Sequence, residues 1–128
     1  MSALNPVIKE VWEKAEWMAI ATHGSDGPHV VGSWGDILRQ INGDLTMTIA
    51  APAGKFNKTE QNLKNDPRVE VLLATQKVSG MRGPGQGCNF VGTAEVQTAG
   101  PYAERVKKLF PGIRGALVIH IESAHTQL

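Results

Sequence analysis

The sequence predicts a mainly β domain, either a small antiparallel barrel or an α+β sheet, carrying a few short helices. Three observations point there. Its apolar residues fall into short runs broken by Gly, Pro, Asn and Asp, not into long helical stripes. Strands and long helices do not alternate regularly, which argues against a doubly wound parallel sheet. A length of 128 residues is one domain's worth and can bury roughly two thirds of its unfolded surface. A single domain spanning 1–128 is therefore expected, with about six or seven strands.

The elements follow in order. Asn5 can cap a helix and Pro6 fits its first position, where a missing N–H costs nothing. Val7, Ile8, Val11, Trp12 and Ala15 recur at three- and four-residue spacing, so a helix of about ten residues is predicted. Trp17 to Thr22 and His29 to Trp34 read as two strands of a hairpin. HGSDGP is the turn, with Gly24 and Gly27 available for positive φ. Ile37 to Ile41 is a further short run, closed by an Asn42-Gly43-Asp44 turn. Leu45, Met47 and Ile49 alternate with Thr46, Thr48 and Ala50, the pattern of a half-buried strand over Leu45 to Ala51.

A loop, APAGKFN, then leads into a short helix, KTEQNLKND, with Pro67 at or just past its end. In Arg68 to Thr75, Val69, Val71 and Leu73 share one strand face, and Glu70 and Leu72 the other. Lys77 to Asn89, with MRGPGQG, reads as a flexible Gly-rich segment. Phe90 to Thr98 returns to strand, and Gly92 within it marks a bulge or a close backbone approach. Pro101 to Phe110 reads as a helix stopped by Pro111-Gly112. Arg114 to Glu122 is the last strand, followed by a six-residue tail.

Composition narrows the function classes. Thirteen Lys and Arg against twelve Asp and Glu leave no basic block, so a nucleic-acid partner is not expected. A single cysteine, Cys88, can form neither an internal disulfide nor a cysteine metal site, and reads as buried filler. Apolar runs fall well short of the roughly 18 residues of a membrane span, and the N-terminus does not read as a signal peptide. A cytoplasmic location without membrane partners is the expectation. The four histidines make no HExxH or i,i+4 pattern, so no metal site is expected. Neither a nucleophile elbow nor a general acid/base pair appears, so no side chain is assigned a catalytic role.

Several segments suggest binding instead. PAGKFNKT leaves a strand and enters a helix, where exposed N–H groups attract phosphate. Lys58 adds charge and Thr59 a hydroxyl, with Lys55 as a second cation. The segment is not a P-loop, because Phe56 follows the GK pair. An ordinary polar loop before a capped helix explains the same residues. Ser33 and Trp34 end one strand and suit a planar ligand. Thr75, Gln76 and Lys77 end another and suit an amide-like ring edge. Core packing explains a Trp, and plain surface a Gln-Lys pair, equally simply. Arg82 to Gly87 reads as a rim over a pocket, a dimer contact or a surface loop.

Taken together, four stretches resemble the FMN-binding split-barrel family related to pyridoxamine-phosphate oxidase, and especially its small bacterial FMN-binding members. They are AIATHGSDGPHVVGSW at 19–34, GKFNKTEQNLKNDPRV at 54–69, TQKVSGMRGPGQG at 75–87 and ALVIHIESAHTQL at 116–128. Their order and spacing cover nearly the whole chain. The resemblance implies a six-stranded antiparallel Greek-key split barrel, a homodimer, and non-covalent FMN near the subunit interface. It carries Lys58 and Thr59 over as phosphate ligands, with the backbone of Ala51, Pro52 and Ala53 nearby. Gly32, Ser33 and Trp34 would meet the ring and ribityl region, and Thr75, Gln76 and Lys77 the cofactor's other side. Leu128 would reach the ring from the partner subunit.

This chain departs from the family's small members at three places. They have Asn in place of Gly32, Tyr in place of Ile37, and a partner-facing aromatic in place of Gly112. Phe110 or Trp12 is the candidate replacement for that aromatic. The implied activity is electron transfer, as a carrier with a redox partner protein or as an oxidoreductase fed by reduced nicotinamide. The alternative is a non-catalytic binding or sensing module for FMN or another phosphorylated cofactor. Split barrels also host heme, for which His29 or His120 would matter.

Overall fold

A computed structural model describes residues 4–128. Helix α1 runs Pro6–Lys14, with the Asn5 side-chain oxygen accepting the Ile8 N–H at 2.9 Å. Ile8, Val11 and Trp12 face inward, as their spacing predicts. The Trp12 indole N–H is satisfied by the Gly43 carbonyl at 3.0 Å. Strands β1 (Trp17–Gly24) and β2 (Gly27–Trp34) form the expected hairpin, in register from Trp17↔Trp34 to Gly24↔Gly27. Of its two glycines only Gly27 takes positive φ (114°). Gly24 serves another purpose: a Cβ there would stand 2.7 Å from Asn62 Oδ1.

The run at Ile37–Ile41 is part of helix α2 (Gly35–Asn42), which buries Leu38 and Ile41 three residues apart. Arg39 donates to the carbonyls of Trp12 and Ala15, tying α2 to the end of α1. Asn42 at the helix end pairs with both the N–H and the carbonyl of Ala50, each at 2.8 Å, and so docks strand β3 (Thr48–Pro52). β3 is shorter than its alternation suggests, and Ile49, Ala50 and Ala51 are all buried. Ile49 and Ala51 enter the main core. Ala50 enters a second core with Ile41, Val106, Ala116 and Val118. Helix cover on the outer face removes the solvent side that alternation implies.

Helix α3 (Asn57–Asn65) precedes β4 (Arg68–Gly80), and a two-residue turn at Met81–Arg82 leads to β5 (Gly83–Gln97). The segment read as flexible is therefore the end of a long hairpin, paired at Ser79↔Pro84 and Gly80↔Gly83. Its glycines suggested entropy, but the backbone pairs regardless of side chain. β4 is irregular between Thr75 and Ser79. Helix α4 (Pro101–Leu109) stops at Phe110, and β6 (Ala116–Thr126) absorbs most of the expected tail. The β5–β6 ladder is interrupted at Val91/Gly92, where a Cβ on Gly92 would collide with the His120 carbonyl oxygen. Both readings of Gly92 hold at once.

All six strands form one antiparallel sheet in the order β2-β1-β4-β5-β6-β3, the split-barrel arrangement with four short flanking helices. One sheet face packs Met18, Ile20, Val71, Leu73 and Phe90 against Ile8, Val11 and Trp12 of α1. Among the described residues nothing covers the opposite face of β2-β1-β4-β5. There Trp17 and Trp34 are 52% and 66% exposed, beside Val30, Leu72 and Val91.

Candidate functional site

The sequence-predicted residues gather in three places. Thr75, Gln76, Lys77 and Leu128 line one cleft of about 530 Å³ with Glu16, Trp17, Gln86 and Gln127. Gly32, Ser33 and Trp34 line a second, of about 370 Å³, again with Glu16 and Trp17. The shared residues make the clefts neighbours. Trp17 is the partition: it pairs directly with Trp34, and its ring lies over Gly32, where a Cβ would stand 3.1 Å from Cε3. Aromatic surface thus fills the space that a side chain at position 32 would take.

In the first cleft the irregularity of β4 shapes the wall. Thr75 Oγ1 accepts the Lys77 N–H at 3.2 Å, leaving Gln76 and Lys77 exposed. Trp12 lies in the core with its N–H already used, so it cannot stand in for the aromatic absent at Gly112. Phe110, 36% exposed just beyond α4, has no such constraint.

The third place is the β3–α3 corner. Ala51 is paired in the sheet with Leu117. Pro52 has no N–H, and the Ala53 N–H is donated to the Gly115 carbonyl, so Pro52 and Ala53 offer an anion no free donor. The available donors lie in the first turn of α3, whose N-terminus has no side-chain cap. Thr59 is fully buried there and its hydroxyl has no hydrogen-bond partner, an uncommon condition for a buried polar atom. Lys58 reaches the β1–β2 turn, where its Nζ lies 3.0 Å from both carboxylate oxygens of Asp26. Hydrogen bonding from Lys58 lowers the Asp26 pKa. Arg114 pairs with Glu60 of the same turn at 2.8 Å, and its second terminal nitrogen is buried without a partner. An uncapped turn, an unsatisfied hydroxyl and nearby cations suit a phosphate group.

Asp26, Gln86 and Arg114 escaped sequence reading. Asp26 and Arg114 sit at a turn and before a strand with no motif around them. Gln86 lay within a segment whose glycines dominated its reading. Elsewhere, Cys88 is buried and desolvation pushes its thiol up to about 12, away from reactivity. His120 Nε2 lies 2.9 Å from Glu95. Among the described residues no three His, Cys, Asp or Glu side chains are grouped to hold a metal, and no helix is long and apolar enough to cross a membrane.

Six antiparallel strands with four short flanking helices, a bare aromatic face and an uncapped strand-to-helix corner define a split barrel. The chain belongs to the pyridoxamine 5'-phosphate oxidase family, whose profile matches residues 4–127. It is 40% identical over 119 residues to the FMN-binding protein of Nitratidesulfovibrio vulgaris (strain DSM 19637 / Miyazaki F), covering 93% of this chain and 94% of that one. Solved structures that share the fold include the following two. A variant of HupZ from Group A Streptococcus superposes with a TM-score of 0.70 at 22% identity, covering 97% of this chain and 99% of that one. The heme storage protein HutZ of Vibrio cholerae gives 0.58 at 13% identity, covering 98% and 94%.

Proposed function

We propose that this chain binds FMN non-covalently and transfers electrons as a homodimer. The observation that carries the reading is the buried, unpartnered Thr59 hydroxyl at the uncapped start of α3, beside Lys58. The 40% identical relative that is itself an FMN-binding protein supports it. FMN, when bound, supplies a ring that takes up and releases electrons; the chain supplies position and charge. The first turn of α3 and Lys58 hold the phosphate, with Thr59 donating its hydroxyl. Trp17 and Trp34 give an apolar wall. Gln76 offers both donor and acceptor to a polar ring edge, and Lys77 adds positive charge that favours an electron-rich ring.

A second copy completes the site in this reading. Asp26, which holds Lys58, sits at the turn of the β1–β2 hairpin, while Trp34 ends β2. Seven residue steps separate the two ends of β2, about 23 Å at strand rise. One chain's corner and its own clefts are thus far apart. A twofold partner docked on the bare tryptophan face brings the partner's cleft, with its Leu128, towards the corner. Trp17, Trp34, Val30, Leu72 and Val91 on that face offer a partner apolar surface to cover.

The test is the absorbance spectrum of purified protein together with its solution mass. Flavin bands on a species of twice the chain mass are expected; a Soret band, or a colourless monomer after incubation with excess FMN, overturns the reading. Lys58→Ala should weaken FMN more than riboflavin, because only FMN carries the phosphate; equal losses would remove Lys58 from the phosphate site. Rapid reduction of the loaded protein by NADH or NADPH would make it a reductase. With neither donor active, it is a carrier awaiting a redox partner protein.

A further inference from the structure

The buried Gln86 side chain is bonded entirely to the backbone of Leu128 and of its own neighbour Gly87. Its Oε1 accepts the N–H of Leu128 at 2.8 Å and of Gly87 at 3.0 Å, while its Nε2 donates to the Leu128 backbone oxygen. An amide side chain thus pairs with both backbone groups of Leu128, as one strand pairs with the next. Gln86 is only 6% exposed, whereas Leu128 is 55% exposed. The buried partner is therefore the fixed one, and the residue it holds is displayed. Alongside, the Gln127 N–H donates to the Gly87 carbonyl at 2.8 Å, and a Cβ on Gly80 would stand 2.9 Å from the Leu128 Cβ. Leu128 sits in a seat shaped on two sides, on the rim of the cleft it shares with Trp17, Gln76 and Lys77.

We propose that Gln86 is a positioning residue: its amide holds Leu128 at a fixed height over the cleft, and Leu128 in turn sets how much water reaches the bound flavin ring. This deepens the FMN reading and rests on it. A buried glutamine needed only to satisfy the β5–β6 ladder would not place both of its polar atoms on one residue beyond the last paired position, Cys88↔Thr126. Water exclusion from one ring edge disfavours the charged reduced form, so a displaced Leu128 changes the reduction potential.

The test uses the full chain, with and without FMN. Gln86→Met keeps the length and removes the bonds. Without FMN, amide exchange of Leu128 followed by NMR should quicken about two- to tenfold for each bond lost. Gln86→Glu replaces the donor with an oxygen that repels the Leu128 backbone oxygen, and should lose protection as Gln86→Met does. With FMN, Gln86→Met and Leu128→Ala should shift the reduction potential in the same direction, and the double variant should shift it no further than Leu128→Ala alone. Unchanged Leu128 exchange in Gln86→Met overturns the clamp. Additive shifts, or a shift in Gln86→Met with none in Leu128→Ala, overturn the positioning role. Flavin bands with an unmoved potential in all variants defeat this proposal while leaving FMN binding intact; absence of flavin bands in the unaltered protein defeats both.

Discussion

The two halves of the sheet are covered differently. Around β3 and the start of β6, both faces are buried: Ile49 and Ala51 in one core, Ala50 and Val118 in another, under α2 and α4. On β1 and β2 one face is buried and the other carries Trp17, Trp34 and Val30 in the open. Helices α2 and α4 cover the outer face of the first half, whereas α1 and α3 pack only the inner face of the second. The second half keeps its largest aromatic side chains for something other than its own core. A residue's energetic role therefore depends on which half it occupies, even when residue type and exposed strand position look alike.

This contrast can be broken or sharpened by substitution. The largest effect is expected at Phe90, 1% exposed in the main core. Phe90→Ala should cost about 3–5 kcal/mol in urea unfolding, and a loss under about 1 kcal/mol would show that this core can collapse around the gap. Next comes Gly92→Ala, whose Cβ must displace the His120 carbonyl. A loss of about 1–3 kcal/mol or more is expected, read as a fall in the thermal midpoint. Trp17→Glu reverses the logic. Its effect on the isolated fold should stay within about 0.5 kcal/mol, yet sedimentation should show association abolished. A variant that loses several kcal/mol of stability while remaining a folded dimer would mean the bare face belongs to the core after all. The smallest effect concerns pH. Arg68 hydrogen bonds hold the part-exposed Asp66 carboxyl down at about 2. That contribution is complete above the ordinary value of 3.8 and fades as pH falls through about 2. Asp66→Asn should therefore lower stability slightly at neutral pH, flatten acid unfolding across that window, and match the unaltered protein below about pH 2.

Local signals carried the reading of the fold furthest. The Asn5-Pro6 helix start, the hairpin turn within HGSDGP and the break at Gly92 are decided by neighbours in sequence, and each stands in the structure. Tertiary cover defeated the rest. Alternation at Leu45–Ala51 assumed a wet outer face, which α2 and α4 fill. The glycines of 80–87 suggested mobility, but backbone pairing with the facing strand orders them. For the site, residue type picked out Lys58 and Thr59, but not that Lys58 is engaged by Asp26 thirty-two positions earlier. Nor does any local pattern announce Gln86, whose partner is forty-two positions away.

The Lys58–Asp26 pair has a consequence for any anion arriving at the corner. The incoming group does not add to an empty cation; it exchanges with a carboxylate already seated there. Its net gain is the difference between two attractions, and the displaced Asp26 is left as an unpaired negative neighbour. In the proposed phosphate site, a doubly charged visitor would therefore gain more over the resident carboxylate than a singly charged one.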